Sequence, residues 1–246
     1  MHITSQELQH VAAAQEAPRF DMYGAIHKAL RAFMADTLLS VGRMDVDDEP
    51  QLVRSLQRVF DLLEFCQQHL QHENSVIHPA MEARAPGSST HIDAEHVQHV
   101  AHIERLSALA GQVLRGLPGA RPAAAQALYH ALSAFIAHNF EHMLEEELEH
   151  NAVLQAHFSD AELLQVHDAL VASIPPAEMM VVVRWMVPFM NPTERTAMMA
   201  DMQAHAPAPA FQAALEVVRP HLDEGEWAKL TRSLGLAAAP GLAVAG

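Results

Sequence analysis

The stretch HLQHENSVIHP, at residues 69–79, places a histidine and a glutamate four residues apart, at His69 and Glu73. On an α-helix, residues at this spacing lie on the same face, one turn apart. The apolar residues upstream recur at spacings of three and four and continue the same stripe; they are Leu52, Leu56, Val59, Leu62 or Leu63, and Cys66. The stretch therefore predicts an amphipathic helix whose core-facing side carries an imidazole and a carboxylate.

A second stretch, HMLEEE at residues 142–147, repeats this arrangement with His142 and Glu146. Its helix is expected over residues 123–158, with apolar side chains close to the same face. His138 lies one turn before His142 and could add a ligand or orient one. The sequence thus contains two separate pairs of histidine and glutamate on stripes that are expected to face a core.

Two further predicted helices bring histidines to candidate core positions. His27 lies on an otherwise apolar stripe of the first helix, which is expected to stop near Gly42. The third helix, expected over residues 93–117, carries His96, His99 and His102 before its apolar run begins. Each of the four helices therefore offers nitrogen or oxygen ligands toward the centre.

Periodicity does not decide which histidine of the third helix faces inward. His99 lies on the apolar stripe that includes Ile103, whereas His96 lies seven residues before Ile103. Both remain candidates, and His102 is a weaker third. Glu95, four residues before His99, is expected to orient that ring as a hydrogen-bond acceptor.

Four long helices with short or moderate loops, and no competing strand pattern, predict an all-α protein built on an antiparallel four-helix bundle. The capping sequence at Ser159 and Glu162 predicts that another helix starts after the bundle. The expected division is an N-terminal arm at residues 1–19, the bundle at 20–158, a smaller C-terminal helical region at 159–236 and a flexible tail at 237–246.

Burying several imidazoles and two carboxylates in a bundle centre is costly unless they are paired or bind metal. Two divalent ions would carry four positive charges, and two glutamates would return two negative ones. A mixed set of imidazole and carboxylate ligands suits iron, with manganese or zinc as alternatives. The pattern therefore indicates a site for two metal ions.

Composition narrows the classes of partner and compartment. The chain has 18 His, 15 Lys and Arg, and 30 Asp and Glu, for a formal net charge of -15, so neither nucleic acid nor an anionic membrane surface is an expected partner. Cys66 is the single cysteine, which excludes an intrachain disulfide and a cysteine-rich zinc site. With no signal-peptide pattern at the start and no convincing membrane span, the expected location is the cytoplasm.

These residues carry a resemblance to a known family. HLQHENSVIHP at residues 69–79 resembles the helix-two signature of the hemerythrin-like HHE cation-binding family, and HMLEEE at 142–147 is similar to its fourth-helix counterpart. AIHKALR at 25–31 resembles the first-helix histidine segment, and the likeness covers residues 20–158. His96 resembles the family's third-helix position best, although oxygen-carrying hemerythrins have HxxxH there and HxxxxD in the fourth helix.

The resemblance implies two iron ions, ferrous or ferric, joined by an oxo or hydroxo bridge, with manganese or zinc as substitutes. The candidate metal ligands are then His27, His69, Glu73, His142 and Glu146, with His96 and His99 as the two candidates from the third helix. The favoured function is binding of dioxygen or a related small species for sensing, storage or stress response. One alternative is a di-iron redox enzyme acting as an oxidase, a peroxidase or a nitric-oxide-consuming protein. Another is a metal-stabilised module that binds a protein partner through the C-terminal region.

The remaining candidate groups are assigned peripheral places. His72 and His78 are expected at the rim or surface, because they rotate away from the face of His69 and Glu73 on a regular helix. Glu7 with His10, and Glu147 with His150, match the ExxH string of ferritin-like sites but are placed off the stripe that faces the bundle. Tyr23 is expected to pack in the core, with contact between its hydroxyl and the metal environment as the alternative.

Overall fold

The computed structural model describes residues 19–236, and these form helices with no β-strand among them. The predicted tail at 237–246, the Glu7 and His10 pair, and the predicted arm apart from Arg19 lie outside the described residues. The all-α fold class is confirmed.

The first unit contains four long helices and three shorter ones. They are α1 (Gly24–Gly42), α2 (Glu49–His72), α3 (His78–Arg84), α4 (Thr90–Arg115), α5 (Arg121–Glu145), α6 (Asn151–His157) and α7 (Asp160–Ser173). Local sequence explains where several begin. Asp48 caps α2 by accepting a hydrogen bond from the backbone N–H of Gln51, and Pro50 lies in the first turn, where its missing N–H costs nothing.

The long helices pack in a closed order: α1 contacts α2, α2 contacts α4, α4 contacts α5, and α5 contacts α1. Each contributes buried apolar residues to a shared interior, for example Leu30, Leu56, Leu106 and Leu128, all at most 2% exposed. The apolar stripes read from the sequence therefore meet as a helical bundle, and the histidine and glutamate positions on those stripes are drawn into its centre.

Two π-helical turns interrupt the bundle helices at equivalent places. Glu73–Ile77 joins α2 to α3, and Glu146–His150 joins α5 to α6. The helical path continues through Pro79 into α3. The N–H that Pro79 lacks would fall just after a turn in which the regular hydrogen-bond pattern is already shifted. Each π-helical turn begins at one of the two glutamates that the sequence singled out.

The chain divides into two compact units, the first ending at Ser173 and the second beginning at Ile174. This division comes later than the boundary expected at residue 158, because α7 packs through Leu163 into an apolar cluster with Met22 and Phe158. The capping interaction predicted at Ser159 is present: its hydroxyl donates to Oε2 of Glu162 at 2.8 Å.

The second unit has its own apolar core. Its helices are α8 (Pro176–Met186), α9 (Pro192–His205), α10 (Ala208–Val218) and α11 (Glu224–Ser233). Val183, Met199 and Val218 are fully buried there. The methionine-rich stretch at residues 179–202 therefore helps to fill a core. Among the described helices no single one is long and apolar enough to cross a membrane, and only α7 taken together with the segment 176–189 reaches that length and composition.

Candidate metal centre

Two buried carboxylates form the centre of the site. Glu73 is 1% exposed and Glu146 is fully buried, and each is the first residue of a π-helical turn. Within residues 19–236, none of their four carboxylate oxygens has a hydrogen-bond partner. Buried carboxylates without hydrogen bonds are uncommon, because they lose their hydration without compensation. The arrangement therefore calls for a cation.

Potential ligand atoms within 4.8 Å of one another form three groups around these carboxylates. The groups are His27, His69, Glu73 and Glu146; Glu73, His96, His142 and Glu146; and His78, Glu146 and His150. The first two groups share both glutamates. A pair of sites that shares two carboxylates is the arrangement required for two neighbouring metal ions.

In the first group, two imidazoles face the carboxylates through Nε2. Nε2 of His69 lies 3.1 Å from Oε1 of Glu73. Nε2 of His27 lies 3.8 Å from the same oxygen and 3.4 Å from Oε2 of Glu146. These atoms come from three helical segments, so the group exists only when the bundle is closed.

The second group is arranged in the same way. Nε2 of His96 lies 3.5 Å from Oε2 of Glu73, and Nε2 of His142 lies 3.4 Å from Oε2 of Glu146. The two Nε2 atoms are only 3.1 Å apart. Two imidazole nitrogens this close point at the same small volume, as ligands of one ion do.

The opposite side of three of these four rings is held by an acceptor. Nδ1 of His27 donates to Glu147 at 3.0 Å, Nδ1 of His96 to the side-chain oxygen of Asn74 at 2.7 Å, and Nδ1 of His142 to Glu95 at 2.7 Å. Such partners fix the tautomer and aim Nε2 at a metal. The expectation that Glu95 orients His99 is wrong, because its carboxylate bonds across the helices to the ring of His142.

Burial keeps most of these imidazoles neutral. It lowers the pKa of His96 to about 3 and that of His142 to about 2, with neighbouring histidines adding to the effect. It also lowers the pKa of His69 well below the usual value. For His27, burial lowers the pKa, but the carboxylates of Glu147 and Glu73 outweigh it and raise the pKa overall. A neutral imidazole is the form that binds metal.

The carboxylates shift in the opposite direction. Burial, and then the charge of Glu146, raises the pKa of Glu73 to about 8. Burial, followed by the charges of Glu147, Glu95 and Glu145, raises the pKa of Glu146 well above its usual value. Without a cation between them, Glu73 holds a proton near neutral pH, and the protonated form of Glu146 is favoured in the same direction.

The structure distinguishes among the third-helix candidates. His96 belongs to the second group, whereas His99 belongs to none of the groups found among the described residues. His99 lies about 4.5 Å further along the helix axis, and its ring packs against His142 at a centroid distance of 4.5 Å. His102 is half-buried and its ring lies 6.0 Å from that of the exposed His138, and neither residue belongs to a ligand group within the described residues.

Two residues that were expected at the periphery lie inside. His78 and His150 are each 3% exposed, so their assignment to the surface or to an outward face is wrong. On a regular helix His78 would be rotated about 140° from Glu73, but the π-helical turn between them brings it back. His150 lies four residues after Glu146, a spacing that predicts the same face of the helix as that glutamate.

Tyr23 also has a polar role beyond packing. It is fully buried, and its hydroxyl lies 3.1 Å from Nδ1 of His150. Burial, and then the charges of Glu146 and Glu73, raises its pKa well above the usual value, so the phenol keeps its proton. The alternative expectation, contact between the hydroxyl and the residues around the carboxylates, describes this position.

Comparison with known proteins agrees with this geometry. The family model described as the hemerythrin HHE cation-binding domain matches residues 20–154, more than half of the chain. The protein belongs to the hemerythrin HHE family. No curated protein and no solved structure gives a significant match. The match ends close to the end of α6, so it covers the π-helical turns and all three ligand groups of this HHE domain.

The residues present fit the pair of metal ions that the family implies. Nε2 of His27 and of His69 are buried and, in the described part of the chain, have no hydrogen-bond partner, like the four oxygens of Glu73 and Glu146. These orphaned atoms all face one another. The donor set of imidazole nitrogen and carboxylate oxygen suits iron, manganese and zinc alike, so the geometry supports metal binding without selecting the metal.

Removing an outer acceptor should weaken metal binding while the fold stays intact. We expect Glu95→Ala to reduce affinity about 10-fold to 100-fold, because His142 loses the acceptor that fixes its tautomer. Competition with a chelator of known affinity measures the change. Glu104→Ala removes an exposed carboxylate from the same helix and should leave affinity unchanged; equal affinities in the two variants would contradict the assigned role.

The metal-free protein should lose stability as the pH rises from about 6.5 to about 8. The folded pKa values of Glu73, Glu146 and His27 are all raised, so these three groups bind more protons in the folded state across this range. The buried histidines with lowered pKa values contribute in the opposite direction near pH 6.5, and their contribution fades as the pH rises above the usual histidine pKa. Stability is then greatest at the acid end and is lost as the pH passes through the folded pKa values.

Urea denaturation of the metal-free protein across this range tests the sign. Glu73→Gln removes one of the titrating groups and should flatten the pH dependence. A stability that rises with pH in the metal-free protein would show that the two carboxylates are not buried as described.

Proposed function

We propose that this HHE domain holds two iron ions and binds dioxygen or a related small species, for sensing, storage or a stress response. The observation that carries the proposal is the sharing of Glu73 and Glu146 by both four-residue groups. One ion would be held by His27 and His69, and the other by His96 and His142, with the two glutamates common to both.

The ligand set supports iron and a small ligand. Four imidazoles and two carboxylates leave a pair of six-coordinate ions with fewer protein ligands than positions, so places remain for a small molecule. When bound, two iron ions supply open coordination positions and up to two electrons. Imidazole and carboxylate together suit iron, although manganese and zinc accept the same donors.

The protein's own residues determine what can reach the centre. Phe135 and Met143 are buried on the fourth long helix near the ligands, and the ligands themselves are almost inaccessible. A small neutral species can enter such an interior through side-chain motion, whereas an extended substrate would require the helices to move apart. This arrangement favours a diatomic molecule over an organic substrate.

The balance of ligands favours binding over turnover. A histidine-rich set stabilises high-valent iron less well than a carboxylate-rich one, and here the histidines outnumber the two shared glutamates. The rival function, a di-iron redox enzyme, is favoured by one observation: the buried phenol of Tyr23 lies beside the centre and can supply a proton or an electron.

An oxygen titration separates these two functions. The protein is loaded with ferrous iron without oxygen, and visible absorption is followed as oxygen is added and then removed. Binding predicts a spectrum that appears with oxygen and reverses when oxygen is removed. Prompt oxidation to a ferric spectrum that does not reverse would contradict binding and support the redox enzyme.

Iron content tests the site itself. We expect His69→Ala and Glu73→Ala to lower both bound iron and thermal stability, because binding to the folded state adds to folding stability. His130→Ala, which removes an exposed histidine, serves as the control and should retain the full iron content. Full iron content in both ligand variants would refute the proposed pair.

A further inference from the structure

Two buried histidines remain outside the proposed pair. His78 and His150 form the third group with Glu146, in which the ligand atoms lie within 4.8 Å of one another. Their rings are 5.4 Å apart between centroids and nearly perpendicular. The ring of His78 also stacks on that of His96 at 5.1 Å, so this group adjoins the second group of the proposed pair.

These two rings are held in the same way as the rings of the proposed pair. Nδ1 of His78 lies 2.5 Å from Oδ1 of Asp93, and Nδ1 of His150 lies 3.1 Å from the hydroxyl of Tyr23. His27, His96 and His142 likewise have an oxygen partner at Nδ1. An acceptor at Nδ1 leaves Nε2 as the atom available for a metal; the carboxylate of Asp93 is such an acceptor for His78, and the hydroxyl oxygen of Tyr23 can be one for His150.

Three of the polar atoms on the inner side of this group have no hydrogen-bond partner among the described residues to offset their burial. In the described chain, Nε2 of His78 is buried and makes no hydrogen bond, and the same holds for both carboxylate oxygens of Glu146. A buried polar atom without a partner is destabilising, because it has lost its hydration without compensation. His78 is therefore costly as a packing residue, whereas a phenylalanine would fill the same space without a polar atom.

We propose that His78, Glu146 and His150 form a third metal position beside the pair, which takes a divalent first-row transition ion. Two imidazoles and one carboxylate make a three-ligand site with open positions, the set that suits ferrous iron or zinc. This proposal goes beyond the di-iron function, and it shares one residue, Glu146, with the proposed pair.

The charges around the three groups can balance a third ion. Three divalent ions carry six positive charges. Glu73 and Glu146 lie between the groups, and Glu95, Glu147 and Asp93 hold the outer nitrogens of His142, His27 and His78. These five carboxylates offset most of the positive charge of the ions. Arg31, which pairs with Glu147, adds one positive charge, so two bound hydroxides would complete the balance.

The π-helical turns explain why the third group exists in this chain. Glu73–Ile77 ends immediately before His78, and Glu146–His150 ends at His150. Each turn thus carries a shared glutamate at its start and an additional histidine at or just after its end. The wider turn keeps both side chains on the inner face, as is common where such turns serve a functional site.

Native mass spectrometry of the full chain with zinc counts the ions directly. Zinc is the probe because it is redox-inert, so the count is not altered by oxidation. We expect three zinc ions for the wild type, two for His78→Phe or His150→Phe, and three for the exposed control His130→Phe. Two zinc ions in both the wild type and His78→Phe would overturn the proposal.

The counts also separate this proposal from the di-iron proposal. If the pair fails and the third position is real, His69→Ala keeps the wild-type count while His78→Phe loses one ion. If the pair is real and the third position is not, His69→Ala loses zinc while His78→Phe and His150→Phe do not. A count of two in the wild type that falls to one in His78→Phe would assign His78 to the pair, and would also overturn a third position.

A measurement on the unmodified chain avoids dependence on how the variants fold. Nitrogen-15 NMR of the histidine rings is recorded during a zinc titration. One of the three equivalents of zinc should change the chemical shifts of the ring nitrogens of His78 and His150 together. The ring nitrogens of His69 and His142 should respond to the other equivalents. If the third equivalent perturbs only exposed histidines such as His130, the proposed position does not exist.

Discussion

The structure depends on compensating two carboxylates that meet at the centre of a helical bundle. Glu73 and Glu146 come from different helices, are almost completely buried and make no hydrogen bond through their carboxylates within the described residues. Two ionised carboxylates in such a place repel each other and lose their hydration. A divalent cation between them removes both penalties, so closing the bundle and forming a metal site become one process.

The surrounding residues complement the two carboxylates and the cation that would lie between them. The imidazoles present Nε2 to the carboxylates, and in three of the four an amide or a carboxylate holds Nδ1 from outside, as Asn74 and Glu95 do for His96 and His142. Burial keeps most of the rings neutral, so they do not repel an incoming cation. The π-helical turns then widen the helices where the glutamates enter, which makes room for further ligands.

Helical spacing alone was enough to predict the fold class and most of the centre. His69 and Glu73 are four residues apart, as are His142 and Glu146. Because residues at this spacing share one face of a helix, the sequence alone predicts that each pair lies together. His78 was misplaced because a π-helical turn changes the angular spacing, and the sequence pattern does not announce such a turn. His150 could have been found, because it continues the spacing of four from Glu146.

Contacts between residues on different helices could not be predicted from the periodicity within one helix. The partnership of Glu95 with His142 joins residues 47 positions apart, and a pattern within one helix pointed instead to His99. The choice between His96 and His99 likewise depends on how α4 is set against its neighbours.

X-ray diffraction from crystals of the iron-loaded protein, measured for anomalous scattering at the iron absorption edge, tests the central claim most directly. The account predicts two iron peaks that each lie within coordination distance of both Glu73 and Glu146, separate from any further peak beside His78 and His150; iron found only at exposed histidines, or with neither glutamate as a ligand, would contradict it.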